Sequence, residues 1–201
     1  MSWIRTIKPT EADGPLREIY ARVAGPDGQV DNVLQIHSLR PHTLEGHMVL
    51  YQNVLHHRDN HLPKWLSETI GVYVSLLNGC AYCVDHHFAG LQRLLPDAGR
   101  AVAIRSALES GDLAEVFDRR EVAVLEYARV LTCRPAGVTE DAIDDMRHAG
   151  LSDGEMLEVN QIASYFAYVN RTVLGLGVTT QGDTLGLSPG DAADSGNWRH
   201  G

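Results

Sequence analysis

Cysteine is scarce in this chain, three among 201 residues, too few to build the framework of a disulfide-stapled secreted domain. Long apolar runs are missing as well. None approaches the ~18 residues that would suggest a membrane span, and the opening MSWIRTIKPTEADG lacks the apolar centre of a signal peptide. A globular cytoplasmic protein with no membrane partner is expected. Basic residues are few, 17 Lys and Arg against 26 Asp and Glu, for a formal charge of −9. With no Lys/Arg cluster, nucleic acid and anionic surfaces are poor partners. No stretch alternates with the period of a strand. There is also no Gly-rich turn of the nucleotide-binding kind and no C-x-x-C-H, so no nucleotide, flavin or haem cofactor is assigned.

Hydrophobic residues make up 44% of the chain. Its length suits one well-packed domain and falls short of two. The apolar positions recur with helical spacing, predicting helices over Thr10–Ala24, Asn32–Ser38, 42–55, 65–77, 80–95, 97–108, 119–132, 139–148 and 155–174. Asp97 and Thr139 are expected N-caps, and Ser152 with Glu155 offers a capping box. The fold class is therefore all-α: a single helical domain over 1–176, with its motif core at about 40–110. An irregular tail over 177–201 has Leu185, Leu187 and Trp198 as its few anchors. Asn32–Ser38 reads as a segment capping the core, and Cys133 as an inert buried thiol.

Two of the three cysteines fall in one stretch, ETIGVYVSLLNGCAYCVDHHFAG, residues 68–90. Pro63 opens a buried helix and Asn78-Gly79 closes it, being the residue types that most easily take positive φ at a helix end. A second helix begins at or just after Cys80 and stops before Pro96. Cys80 and Cys83 then lie one turn apart on one face of a helix start, where unpaired amides favour thiolate over thiol. His87 follows Cys83 by four residues on that face. If the helices fold back around Asn78-Gly79, Glu68 lies opposite residue 89 or so, within about one turn, ~5 Å, of His87. A carboxylate, an imidazole and a dithiol in series can take a proton from one sulfur while the other waits to close a disulfide. The i+4 spacing makes Cys83 the nucleophile.

Other residues nearby are assigned no chemistry. His86 is turned about 100° from His87, toward solvent or a neighbouring subunit, and Asp85 lies at the surface. His37, His42, His47, His56, His57 and His61 are spread over the preceding segments and are not assigned to the site. Zinc is the rival reading of C-x-x-C with a histidine and a carboxylate. No second C-x-x-C or C-x-x-H completes such a site, so no metal is assigned.

Read as E-x11-C-x2-C-x3-H, residues Glu68, Cys80, Cys83 and His87 resemble the signature of the AhpD-like alkylhydroperoxidases, within the carboxymuconolactone decarboxylase superfamily. NVLQIHSLRP near the start and the helical run 155–174 resemble the subgroup known as peroxidase-related proteins, the likeness covering most of residues 3–180. The resemblance implies an AhpD-like bundle and a homo-oligomer. It implies a thiol peroxidase in which Cys83 attacks a hydroperoxide, Cys80 resolves the sulfenic acid, and an external dithiol or protein reductant restores the pair. Better-known members carry a histidine where Tyr82 stands. The alternative is a protein dithiol–disulfide reductase or redox adaptor. A decarboxylase-like or ligand-binding role fits less well, because those relatives lack the cysteine pair.

Overall fold

A computed structural model describes residues 2–25 and 28–187. Those residues contain α-helices, short 3-10 turns and no strand, so the fold is the all-α class expected. In chain order the helices are α1 (Gly14–Val23), α2 (Asn32–Gln35), α3 (Pro41–Leu55), α4 (Lys64–Leu77), α5 (Ala81–Leu94), α6 (Ala98–Ser110), α7 (Arg119–Cys133), α8 (Glu140–His148) and α9 (Asp153–Leu176).

Helix α4 is the axis of the bundle. Every residue from Leu66 to Ser75 is buried, because α5, α6, α7 and α9 all pack against this helix. Gly71 permits the tightest of these approaches. A Cβ there would lie 2.3 Å from Cζ of Phe166 on α9, so only a residue without a side chain lets the phenyl ring seat against α4. One apolar cluster joins α4, α5, α7 and α9. A second, built from α1, Leu34, Leu44 and Met48, lies at the N-terminal side.

Capping accounts for where several helices begin. Asp97 accepts from the Gly99 amide, and Ser152 with Glu155 forms the capping box. A further box, Asp118 with Glu121, starts α7, although no sequence reading named it. Thr139 occupies the N-cap of α8 without a side-chain hydrogen bond. Glycines in the left-handed region, Gly111 and Gly177, close α6 and α9.

Two expectations outside the motif need correction, those for Cys133 and for Asn32–Ser38. Cys133 is exposed, because the end of α7 lies beyond the buried middle of the helix, Val124, Leu125, Tyr127 and Ala128. The segment after α9 is irregular, yet it is pinned to its own chain: Asn32 donates through its side chain to the carbonyls of Thr179 and Gln181, and its backbone amide donates to Asp183. Gly186 lies so close to Ala89 of α5 that a Cβ would stand 2.8 Å from it. Finally, the α2 segment does more than cap the core, since Val33 and Leu34 also line the pocket described below. Trp198 lies outside the described residues.

Candidate active site

The site grows out of the α4–α5 hairpin. Gly79, at φ 69°, turns the chain, and the Cys80 amide donates to the Ser75 carbonyl at 2.8 Å. Cys80 thereby becomes the N-cap of α5, with Cys83 one turn inside the helix. Both thiols are free and buried, Cys80 wholly and Cys83 to 3% exposure. The neighbouring Cys83 thiol chiefly draws the Cys80 thiol down to about 7; the Cys83 backbone amide and the Asn170 side chain act in the same sense, against burial. The neighbouring Cys80 sulfur first, with burial, pushes Cys83 well up. Two sulfurs this close lose their first proton more easily than their second.

Glu68 is an acid at 5% exposure on the most buried helix, and such a charge is tolerated only with a partner. The partner is His87, whose Nδ1 lies 2.6 Å from Glu68 Oε2. Gly90, one turn beyond His87, leaves room for the carboxylate; its hypothetical Cβ would sit 3.4 Å from Oε2. The edge of Phe166 meets the His87 ring at 4.6 Å. With Nδ1 engaged, Nε2 is the ring nitrogen left for proton transfer. Among the described residues no hydrogen bond joins His87 to either sulfur. The two instead share the wall of one pocket.

Asn170, on α9, completes the environment of the sulfurs and was not named from the sequence. It is fully buried. Its Oδ1 accepts from Asn78 Nδ2 at 3.0 Å, which turns its own amide nitrogen toward Ser75 Oγ at 3.1 Å. That side chain also bears on both cysteines, favouring the ionised form of each. It is a donor fixed in direction before any charge appears on sulfur.

Cys83, and not Cys80, opens on the pocket. The pocket is also lined by His87, Tyr165 and Val169, by Asp31, Val33, Leu34, His47, Met48 and Tyr51, and by Tyr82, His86 and Leu187. His86 does not face solvent. Its Nε2 lies 3.3 Å from Asp183 Oδ2, and its ring stacks on Tyr82 at 4.5 Å. Tyr82 is committed to the same carboxylate, donating at 2.5 Å while accepting from the Val33 amide, and burial first of all pushes its phenol well up. Asp85 is exposed, as its position on α5 suggests.

His47 is the other residue that sequence reasoning left out. Its ring is 4% exposed and packed among His37, Tyr51, Tyr165 and Tyr168. Burial lowers it to about 3, so it is neutral at physiological pH. The available signal was a histidine placed between Leu44 and Met48 on the apolar side of a helix. Asn170 carried the same kind of signal, lying between Phe166 and Val173 on the buried face of α9.

No group of three or more His, Cys, Asp or Glu side chains among the described residues is arranged to hold a metal ion. Nor is any described helix long and apolar enough to cross a membrane.

A helical bundle with a C-x-x-C at the start of a helix defines the AhpD-like fold, and solved structures agree. An alkylhydroperoxidase AhpD core, described as a peroxidase-related protein from Ralstonia eutropha JMP134, superposes with a TM-score of 0.77 at 22% identity, over 89% of this chain and 92% of its own. A peroxidase-related protein from Silicibacter sp. TM1040 gives 0.68 at 24% identity, over 76% and 77%. The debrominase Bmp8 gives 0.66 at 18%, over 84% and 85%. No family model matches the chain, and no curated protein matches it significantly.

Proposed function

We propose that this protein is a thiol-dependent peroxidase that reduces hydroperoxides through a Cys80/Cys83 dithiol–disulfide cycle, with Glu68 and His87 handling protons. One observation carries the reading: a free, buried dithiol opens through its second sulfur on a pocket that it shares with an imidazole hydrogen-bonded to a buried carboxylate.

The resting pair holds one proton between two sulfurs. Its transfer from Cys83 to Cys80 leaves a thiolate facing the pocket, next to the fixed Asn170 amide. That thiolate attacks the distal oxygen of ROOH. The O–O bond breaks, the S–O bond forms, and RO⁻ takes the proton that His87, backed by Glu68, accepted when the cysteine pair lost its first proton. Cys83 is now the sulfenic acid. Cys80 attacks its sulfur, expelling hydroxide, which leaves as water with the proton of the Cys80 thiol, and the Cys80–Cys83 disulfide results. An external dithiol returns two electrons and two protons.

Burial of both sulfurs favours a small oxidant over a folded protein's disulfide as the molecule that meets Cys83. Tyr82 has no part in proton transfer, its hydroxyl being held by Asp183 and Val33.

The test is consumption of dithiothreitol driven by tert-butyl hydroperoxide. Cys83→Ser abolishes it. Cys80→Ser leaves one sulfenic acid, trapped by dimedone at Cys83, and His87→Phe slows the attack about 10²–10⁴-fold. Faster reduction of insulin than of hydroperoxide would establish the protein-disulfide reductase instead. Turnover of 2,3,4-tribromopyrrole without peroxidase activity would favour a dehalogenating role.

A further inference from the structure

Much of the wall around Cys83 is core. His47 and Met48 on α3, with Tyr165 and Val169 on α9, are buried, and Leu34 sits in the second apolar cluster. None of these can leave the wall unless a helix unpacks. Leu187 lines the same pocket but comes from the segment after α9, in which Thr179, Gln181, Gly182, Thr184 and Leu185 are all exposed.

What holds that segment is mostly polar. The Asn32 side chain donates to the carbonyls of Thr179 and Gln181 at 2.9 and 3.0 Å. Asp183 accepts from the Tyr82 hydroxyl at 2.5 Å and from the Asn32 amide at 3.0 Å. The same hydroxyl accepts from the Val33 amide at 3.1 Å, so one phenol, on the residue just before Cys83, ties the segment to α2 and α5. Apolar anchoring is slight: Gly186 lies against Ala89, and Leu187 is half-buried beside the second cluster. A stretch with few buried apolar contacts and a handful of hydrogen bonds opens locally at far lower free energy than a core helix. Its root is fixed, because Val178 is buried and its amide donates to the Val173 carbonyl at 3.0 Å. Movement therefore begins between Val178 and Thr179.

We propose that residues 179–187 are a gate over Cys83, latched by Asp183 and Asn32, and that reagents reach the Cys83 sulfur when the gate lifts. In the closed state Cys83 is 3% exposed and Cys80 not at all. Reaction at sulfur depends on access as well as on ionisation, so the latch sets how often the thiol can be met. The gate follows from burial and hydrogen bonding alone and stands whatever reaction Cys83 carries out.

The test compares two rates in reduced protein carrying Cys133→Ser, which leaves only the pair to react. Hydrogen exchange followed by NMR at the Asp183 amide, which donates to the Thr180 carbonyl at 3.0 Å, reads opening of the segment. Labelling of Cys83 by N-ethylmaleimide, located by mass spectrometry, reads access to the sulfur. Asn32→Ala removes the two side-chain bonds to the segment, and Asn32 is not among the residues lining the pocket. Tyr82→Phe removes the hydroxyl shared by Asp183 and Val33. Each variant is expected to speed exchange at Asp183 and labelling at Cys83 by the same factor, roughly tenfold for a loss on the order of one net hydrogen bond, while the amides of α4 keep their protection. Faster exchange with unchanged labelling overturns the gate. Faster labelling in Asn32→Ala without faster exchange overturns it as well, and no change in either rate overturns the latch. Should Tyr82→Phe fail to fold, Asn32→Ala decides alone.

Discussion

The Tyr82 hydroxyl donates to Asp183 Oδ2 at 2.5 Å across 101 residues of chain. That carboxylate also receives the Asn32 amide at 3.0 Å and lies 3.3 Å from His86 Nε2. Its side chain is 3% exposed. Three partners from two separate parts of the fold thus converge on one residue of the segment after α9, and they hold Leu187 in the pocket wall.

Replacing Asp183 with Ala should loosen this closure. The unpaired Tyr82, Asn32 and His86 groups cost about 2–4 kcal/mol of stability. Local opening should raise the alkylation rate of Cys83 by iodoacetamide roughly tenfold while α4 keeps its amide protection. An unchanged alkylation rate would show that the segment does not cover the thiol.

Asn170→Ala should raise the first ionisation of the cysteine pair above the value of about 7 that the intact environment gives Cys80. Asn170→Asp, which sets a carboxylate against sulfur, should raise it further. Absorbance of the thiolate at 240 nm against pH measures both. A midpoint that stays put in Asn170→Ala would remove the amide from the account of thiol reactivity.

Acid should weaken the fold in a defined window. Burial lowers His47 to about 3 and His56 to about 4, where the unfolded chain titrates near 6.5. Between those limits the unfolded state binds more protons. The stabilisation is therefore complete above about pH 6.5 and is lost as pH falls toward 4, at up to about 2.7 kcal/mol per pH unit for the two residues. Below that range the capping carboxylate Glu155, held under its ordinary value by the Ser152 amide first, adds its own loss. Urea unfolding from pH 8 to pH 4 checks this, with His47→Phe and His56→Leu each removing about half the slope. Stability that stays flat down to pH 4 would contradict it.

What the sequence made legible was local. Glu68, Cys80, Cys83 and His87 lie on one hairpin, so helical spacing and the Asn78-Gly79 turn suffice to bring carboxylate and imidazole to 2.6 Å. The cap at Asp97 and the box at Ser152 were readable for the same reason. Residues that reach the site from far along the chain were not. Asn170 meets Asn78 across 92 positions, and Asp183 meets His86 across 97. No periodicity encodes such separations, although a polar residue among apolar neighbours on a helix face marks both His47 and Asn170 as needing a reason. Tyr82, which stands where better-known relatives of the family resembled here carry a histidine, proves to be the anchor of the segment after α9.

Mapping thiols before and after one equivalent of tert-butyl hydroperoxide tests the central claim most directly. Mass spectrometry of the native protein should find two of its three thiols consumed, joined as Cys80–Cys83 within one peptide, with the exposed Cys133 still free. Oxidation at Cys133 with the pair intact, or loss of one thiol at the pair with no bridge formed, would contradict a cycle built on two neighbouring sulfurs.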